Sequence, residues 1–302
     1  MATNKVTKFF ADYMKSLKRP EVEEILDIYF YRVLAFLFVK SIYKTRCTPN
    51  QLTGIGMILG VAAGFFYAIG SYETAIIGSM LFLFSTVLDC ADGQLARLKR
   101  NGTRLGRLMD GLSDYVVSVS ILLGIATGYE HSEMAGNHWW LVVLIVAISG
   151  FIQSFLADYF KIEFLAAAGF QNATTADEIS EFSAELERLN QKKERMVERV
   201  IIFLYIKYLR LQTLFVRSKD EASRKLYDSK DYLKKNRLLI RWWSWLGPST
   251  RISLAIILSL WHRFDILFWI IIIPLNIYWI ILLFFQRYSL RHTAEVVFEE
   301  SA

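Results

Sequence analysis

The sequence predicts an all-α, polytopic membrane protein. It reads as six transmembrane helices, N-terminal interfacial amphipathic helices, and a cytoplasmic helical insertion ahead of the last two spans. Three observations carry this. Of 302 residues, 54% are hydrophobic, mean hydropathy is +0.31, and the apolar residues fall in blocks long enough, or nearly so, to span. Lys and Arg concentrate on one side: the first two loops left outside, GSYE and GYEHSEMAGNH, hold none. Between the fourth and fifth blocks the composition turns to Glu, Lys and Arg.

Residues 1–47 are expected to lie in the interface. The first 20 form a basic amphipathic helix, with Phe9, Phe10, Tyr13, Met14 and Leu17 on its apolar side. Lys5, Lys8, Lys15 and Lys18 suit anionic head groups, and a solvated tail is the equal alternative. No apolar core of a secretory signal stands here. The stretch Glu23–Thr45 is apolar but interrupted by Asp27, Arg32 and Lys40. Were it to span, Lys99, Arg100, Arg104 and Arg107 would move outside, against the positive-inside rule, so it is read as interfacial.

Residues 48–170 hold four spans, over Leu52–Ile69, Thr74–Leu98, Leu112–Gly128 and Trp139–Phe160. The first opens at Thr48-Pro49-Asn50, where a proline without an N–H fits a helix entry. Near the end of the fourth, Asp158 is expected to pair with a neighbouring Lys or Arg. Residues 171–245 form the charged insertion, by default a solvated hairpin, with a regulatory, dimerising or lid role left open. Residues 246–290 hold Pro248–Trp261 and Ile266–Phe285, and 291–302 are a cytoplasmic tail. Cys47 and Cys90 lie beside the basic inner face, so no disulfide is expected.

The chemistry centres on LDCADGQLARLKRNGTRLGRLMDGLSDY, Leu88 to Tyr115. On a helix Asp89, Asp92, Gly93 and Ala96 share one stripe, and Gly106, Asp110 and Asp114 share another. Two helices joined by a short polar turn would aim four carboxylates into one gap. Four such charges in a poorly hydrated space require cations, and oxygen-only ligands suit Mg²⁺ or Mn²⁺, two ions nearly balancing the charge. Gly93 and Ala96 remove bulk where a flat ligand approaches the backbone.

Asp89-x2-Asp92-Gly93-x2-Ala96-Arg97-x8-Gly106-x3-Asp110-x3-Asp114 resembles, without a departure, the signature of the CDP-alcohol phosphotransferases. TPNQLT, Thr48 to Thr53, is similar to the element that opens the first span in many members. The resemblance implies attack of an alcohol on the β-phosphorus of a CDP-linked substrate, releasing CMP. It implies Asp89, Asp92, Asp110 and Asp114 as ligands of two divalent ions and Asp114 as the base. Gly93, Ala96 and Gly106 would leave room for the nucleotide, and Arg97 would orient the diphosphate or an aspartate. Asn50 is carried with the substrate-binding set.

The expected donor is CDP-diacylglycerol, since the site opens to lipid; a soluble CDP-alcohol is the runner-up. For the acceptor the first guess is inositol or inositol phosphate, because Asn101–Gly106 resembles a GTR-x-G form of phosphatidylinositol-type synthases. Arg104, Arg107, Lys161 and Arg251 are then the anion-binding candidates. Membrane lipids are partners, nucleic acid is not expected, and a homodimer is left open. The expected location is a bacterial or archaeal inner membrane with the site facing the cytoplasm. A divalent-cation transporter is the alternative of another class, but it leaves Gly93, Ala96, Arg97 and Gly106 unexplained.

Overall fold

The computed structural model describes residues 2–17, 21–102, 104–130, 139–168, 175–192, 196, 199–200, 202–207, 210 and 229–293. Every regular element among them is helical. In chain order they are α1 (Ala2–Ser16), a π-helical turn (Asp27–Tyr31), α2 (Arg32–Ile42), α3 (Pro49–Ile69), α4 (Tyr72–Lys99) and α5 (Arg104–Glu130). There follow α6 (Trp139–Ala167), α7 (Thr175–Lys192), α8 (Ser229–Trp243), α9 (Pro248–Ser259), α10 (Phe264–Ile272) and α11 (Pro274–Arg291).

Among the described residues, five stretches are long and apolar enough to cross a membrane: Pro49–Ile69, Tyr72–Lys99, Leu108–Tyr129, Trp139–Leu165 and Phe264–Arg291. The chain is an all-α polytopic membrane protein. Five of the six expected spans fall on these stretches, and the sixth is short. The segment expected to span over Pro248–Trp261 is α9, a helix of 12 residues. At about 1.5 Å per residue that is roughly 18 Å, against about 30 Å of hydrocarbon. Gly247 and Pro248 cut it off from the helix before it, and His262 takes a positive φ of 54° just beyond its end.

Local chemistry sets the helix ends. Thr48 and Gln51 form a reciprocal cap at the start of α3, with Pro49 in the first turn. Gly70 closes α3 at φ 79°, a left-handed position that glycine adopts without strain. Ser71 then caps α4 through Thr74, so two spans are joined by a two-residue turn.

The chain forms two compact units. The first comprises Met1–Lys161 and Leu238–Phe285. Its larger core joins Tyr67 of α3, Phe82 of α4, Ile121 of α5 and Val146 of α6 to Phe264 and Phe268 of α10. Here α3 packs against both α4 and α5. A Cβ on Gly124 of α5 would collide with the Gly64 backbone of α3, so small residues set the approach of these helices. A second core lies beside the motif, where Ala35 and Val39 of α2 meet Leu88, Ala91 and Leu95 of α4.

Ahead of α2 a polar strap fixes the chain. Glu24 accepts from the Ser249 N–H at 2.9 Å, Asp27 from the Ser249 hydroxyl at 2.6 Å, and Tyr31 and Ser253 share a hydrogen bond of 2.8 Å. Glu24 thereby caps α9, while Lys161 stands 3.7 Å from the same carboxylate. Burial pushes the Glu24 carboxyl up to about 7, more than Lys161 lowers it.

The second unit comprises Ile162–Arg237 and Gln286–Ala302. It includes α7, whose Phe182 packs edge-on against Tyr205 at 5.0 Å. In it the buried Asn236 accepts from Gln286 at 2.8 Å and donates to the Tyr232 carbonyl at 3.0 Å. Much of the apolar stretch 200–217 and the charged stretch 218–228 lies outside the described residues.

Candidate active site

The helix carrying Asp89 and Asp92 runs unbroken to Lys99, so the two carboxylates do share one face. On α5, Asp110 and Asp114 follow at helical spacing. Because α3 holds both helices, one oxygen each of Asp89, Asp92 and Asp110 lies within 4.8 Å of the others. Asp92 is buried, Asp89 and Asp110 are half-buried, and Asp114 is exposed one turn farther along α5. Asp89 is hydrogen-bonded to Asp110 and feels the charge of Asp114. Three carboxylates this close repel one another unless a cation or shared protons neutralise them.

This donor set fits a hard divalent ion. All its atoms are carboxylate oxygens, and their spacing suits bonds of about 2.0–2.6 Å to a common ion. A further group steadies it: the Thr53 hydroxyl on α3 donates to Asp92 Oδ2. Sequence reasoning missed Thr53 as a site residue. Its signal was its place in TPNQLT, one turn inside the helix start, but nothing in one dimension names its partner 39 positions away.

The other expected residues are placed as follows. The Arg97 guanidinium lies over Gly93, its two terminal nitrogens 3.4 and 3.5 Å from where a Cβ would stand. Arg97 Nε donates to the Ser16 carbonyl at the end of α1. Ala96 is half-buried on α4, and a Cβ on Gly102 in the turn would come within 3.5 Å of its Cβ. Gly106 is half-buried in the first turn of α5, and Asn50 is exposed in the first turn of α3. Arg104 and Arg107 stand at the start of α5, with side chains outside the described residues. Arg251 is engaged locally: it donates to the Leu246 carbonyl at 2.8 Å and to the Ser154 hydroxyl. Lys161 pairs with Asp158 at 3.6 Å as well as with Glu24.

Arg32 is a second residue that sequence reasoning left out of the site. Its Nε is 3.0 Å from Glu23, and its carbonyl accepts from Gln94 of α4 at 3.0 Å. Burial works against its charge, but Glu23, Cys90, Asp27 and Asp89 hold its pKa above the usual value. In the sequence it stands only as an interruption of an apolar stretch.

A family model described as CDP-alcohol phosphatidyltransferase matches residues 46–175, the segment with TPNQLT and all four aspartates. Residues 46–175 are thus similar to a CDP-alcohol phosphatidyltransferase domain. Curated relatives agree. A bifunctional IPC transferase and DIPP synthase of Thermococcus kodakarensis is 23% identical over 178 residues, 59% of this chain and 37% of that protein. An archaetidylinositol phosphate synthase of Pyrococcus horikoshii is 28% identical over 142 residues, 47% of this chain and 65% of its own. A putative cardiolipin synthase of Mycobacterium bovis is 34% identical over 105 residues, 34% of this chain and 46% of its own. The chain thus spans less than two thirds of the length of each of these relatives. Within the matched segment, both aspartate pairs and Thr53 fall on helices that pack together.

Proposed function

We propose that the protein transfers the phosphatidyl group of CDP-diacylglycerol to a polar alcohol and releases CMP. The observation that carries this is the convergence of Asp89, Asp92 and Asp110 within 4.8 Å inside a segment similar to a CDP-alcohol phosphatidyltransferase domain. Two Mg²⁺ or Mn²⁺ ions held by Asp89, Asp92, Asp110 and Asp114 would supply charge neutralisation at the diphosphate. The acceptor hydroxyl attacks the β-phosphorus, its proton passes to Asp114, and the bond to the CMP oxygen breaks. Asp114 suits the role of base because it is exposed and stands outside the tight group of three. Thr53 keeps Asp92 oriented, and Arg97 binds a phosphate oxygen beside Gly93. Gly106, Ala96 and Asn50 border the nucleotide.

One relative is named an archaetidylinositol phosphate synthase, which supports inositol or an inositol phosphate as acceptor. Arg104 and Arg107 are then the first anion-binding candidates, since Arg251 and Lys161 already have local partners. The site faces the cytoplasm of a prokaryotic inner membrane, with residues 171–245 on the same side, in line with the positive-inside asymmetry.

The test is incubation of the detergent-solubilised protein with CDP-diacylglycerol, Mg²⁺ and a panel of polar alcohols, followed by mass measurement of lipid product and CMP. Metal-dependent CMP release with one dominant acceptor is expected. No CMP with any acceptor, or full activity in excess EDTA, would overturn the reading.

A further inference from the structure

We propose that α1 is a positioning element of the site, with Tyr13 and the Ser16 carbonyl setting the Arg97 guanidinium for a substrate phosphate. This rests on the proposed function and adds a part of the chain that the signature does not include.

The last carbonyls of a helix have no partner within it and carry partial negative charge. The Ser16 carbonyl stands at that end of α1, and Arg97 Nε, 81 residues away, donates to it. The bond fixes one edge of a planar fork that has five N–H donors. The other edge lies over Gly93, next to Asp92. There Nη2 is buried and makes no hydrogen bond among the described residues. A buried cationic donor without an acceptor is costly, and a planar guanidinium matches the oxygens of a phosphate. A Cβ at position 93 would already touch the guanidinium, at 3.4 Å, so Gly93 leaves its face open.

The end of α1 is held firmly. Tyr13 is buried, packs edge-on against Phe36 at 5.3 Å, and its hydroxyl donates to the Ile28 carbonyl. Phe9 packs on the same ring at 5.0 Å, and Asp12 pairs with Lys40. The buried Ser16 hydroxyl donates to the Tyr13 carbonyl at 2.6 Å, tightening the turn that presents the Ser16 carbonyl. Released from this carbonyl, Arg97 would recover the rotamer freedom of a long side chain and meet a phosphate less well oriented.

The test is a double-mutant cycle on full-length protein in detergent, with CDP and cytidine as probes in a calorimetric binding assay. Tyr13→Ala and Arg97→Gln should each weaken CDP binding about tenfold, the size of one charge-assisted hydrogen bond, and leave cytidine binding unchanged. The double variant should bind CDP no worse than Arg97→Gln alone, because Tyr13 acts only through Arg97. Multiplying effects, or unaltered CDP binding by Tyr13→Ala, would overturn the proposal. A general packing role would weaken both probes alike and also overturn it. If Tyr13→Ala does not fold, Phe9→Ala loosens the same helix end and takes its place in the cycle. Wild-type protein that binds neither CDP nor CDP-diacylglycerol would sink the functional reading itself. Wild-type binding with an additive cycle sinks only the role of α1.

Discussion

Glu24→Gln isolates the polar strap between the segment ahead of α2 and the start of α9. Glu24 is buried, at 6% exposure, and burial raises its pKa from 4.5 to about 7. The unfolded chain would return it to its ordinary value. Between pH 4.5 and about 7 the folded protein therefore holds a proton that the unfolded one has lost. Stability must fall as pH rises through that window, by about 1.4 kcal/mol per pH unit, and level off above it. The accumulated cost is of order 3 kcal/mol. Gln resembles the protonated acid in shape and can still accept the Ser249 N–H, so it should match wild type near pH 4.5 and exceed it at pH 8. Thermal unfolding of both proteins in detergent across pH 4.5–8 reads the difference directly, and comparison of the two cancels groups that titrate independently. A constant gap across the range, or wild type gaining on the variant as pH rises, would show that the carboxylate is not held in a desolvated site.

Two expectations concern the chemistry. Asp114→Asn should cut CMP release by about two to four orders of magnitude while CDP-diacylglycerol binding survives, whereas Asp89→Asn should lose both; equal loss of binding in the two would make Asp114 mainly a ligand. Thr53→Val removes the hydroxyl that donates to Asp92 and should raise the Mg²⁺ needed for half-maximal activity about tenfold or more, with Thr53→Ser restoring it; an unchanged Mg²⁺ requirement would deny Thr53 an orienting role.

The aspartate stripes were legible because helical periodicity links neighbours within one element. Asp89, Asp92, Gly93 and Ala96 needed only the knowledge that α4 is continuous. The helical starts at Thr48 and the turn at Gly70–Ser71 are likewise local events, written in caps and a left-handed glycine. The length of α9 was less legible, since apolar composition alone does not show that Gly247 breaks the helix ahead of it. The role of Arg32 is illegible in the sequence for another reason. A charge inside an apolar stretch reads as an interruption until its partner Glu23 and the nearby Asp89 are seen.

By itself the sequence determined the class of molecule, its helices and the two stripes of aspartates on them. These follow from composition and from spacing along single helices. Only the tertiary structure decided that Asp89, Asp92 and Asp110 converge more closely than Asp114, that Thr53 reaches Asp92, and that Arg97 is held from α1. Each joins residues on different helices, and the packing of α3 against α4 and α5, permitted by Gly64 and Gly124, sets distances that no one-dimensional pattern encodes.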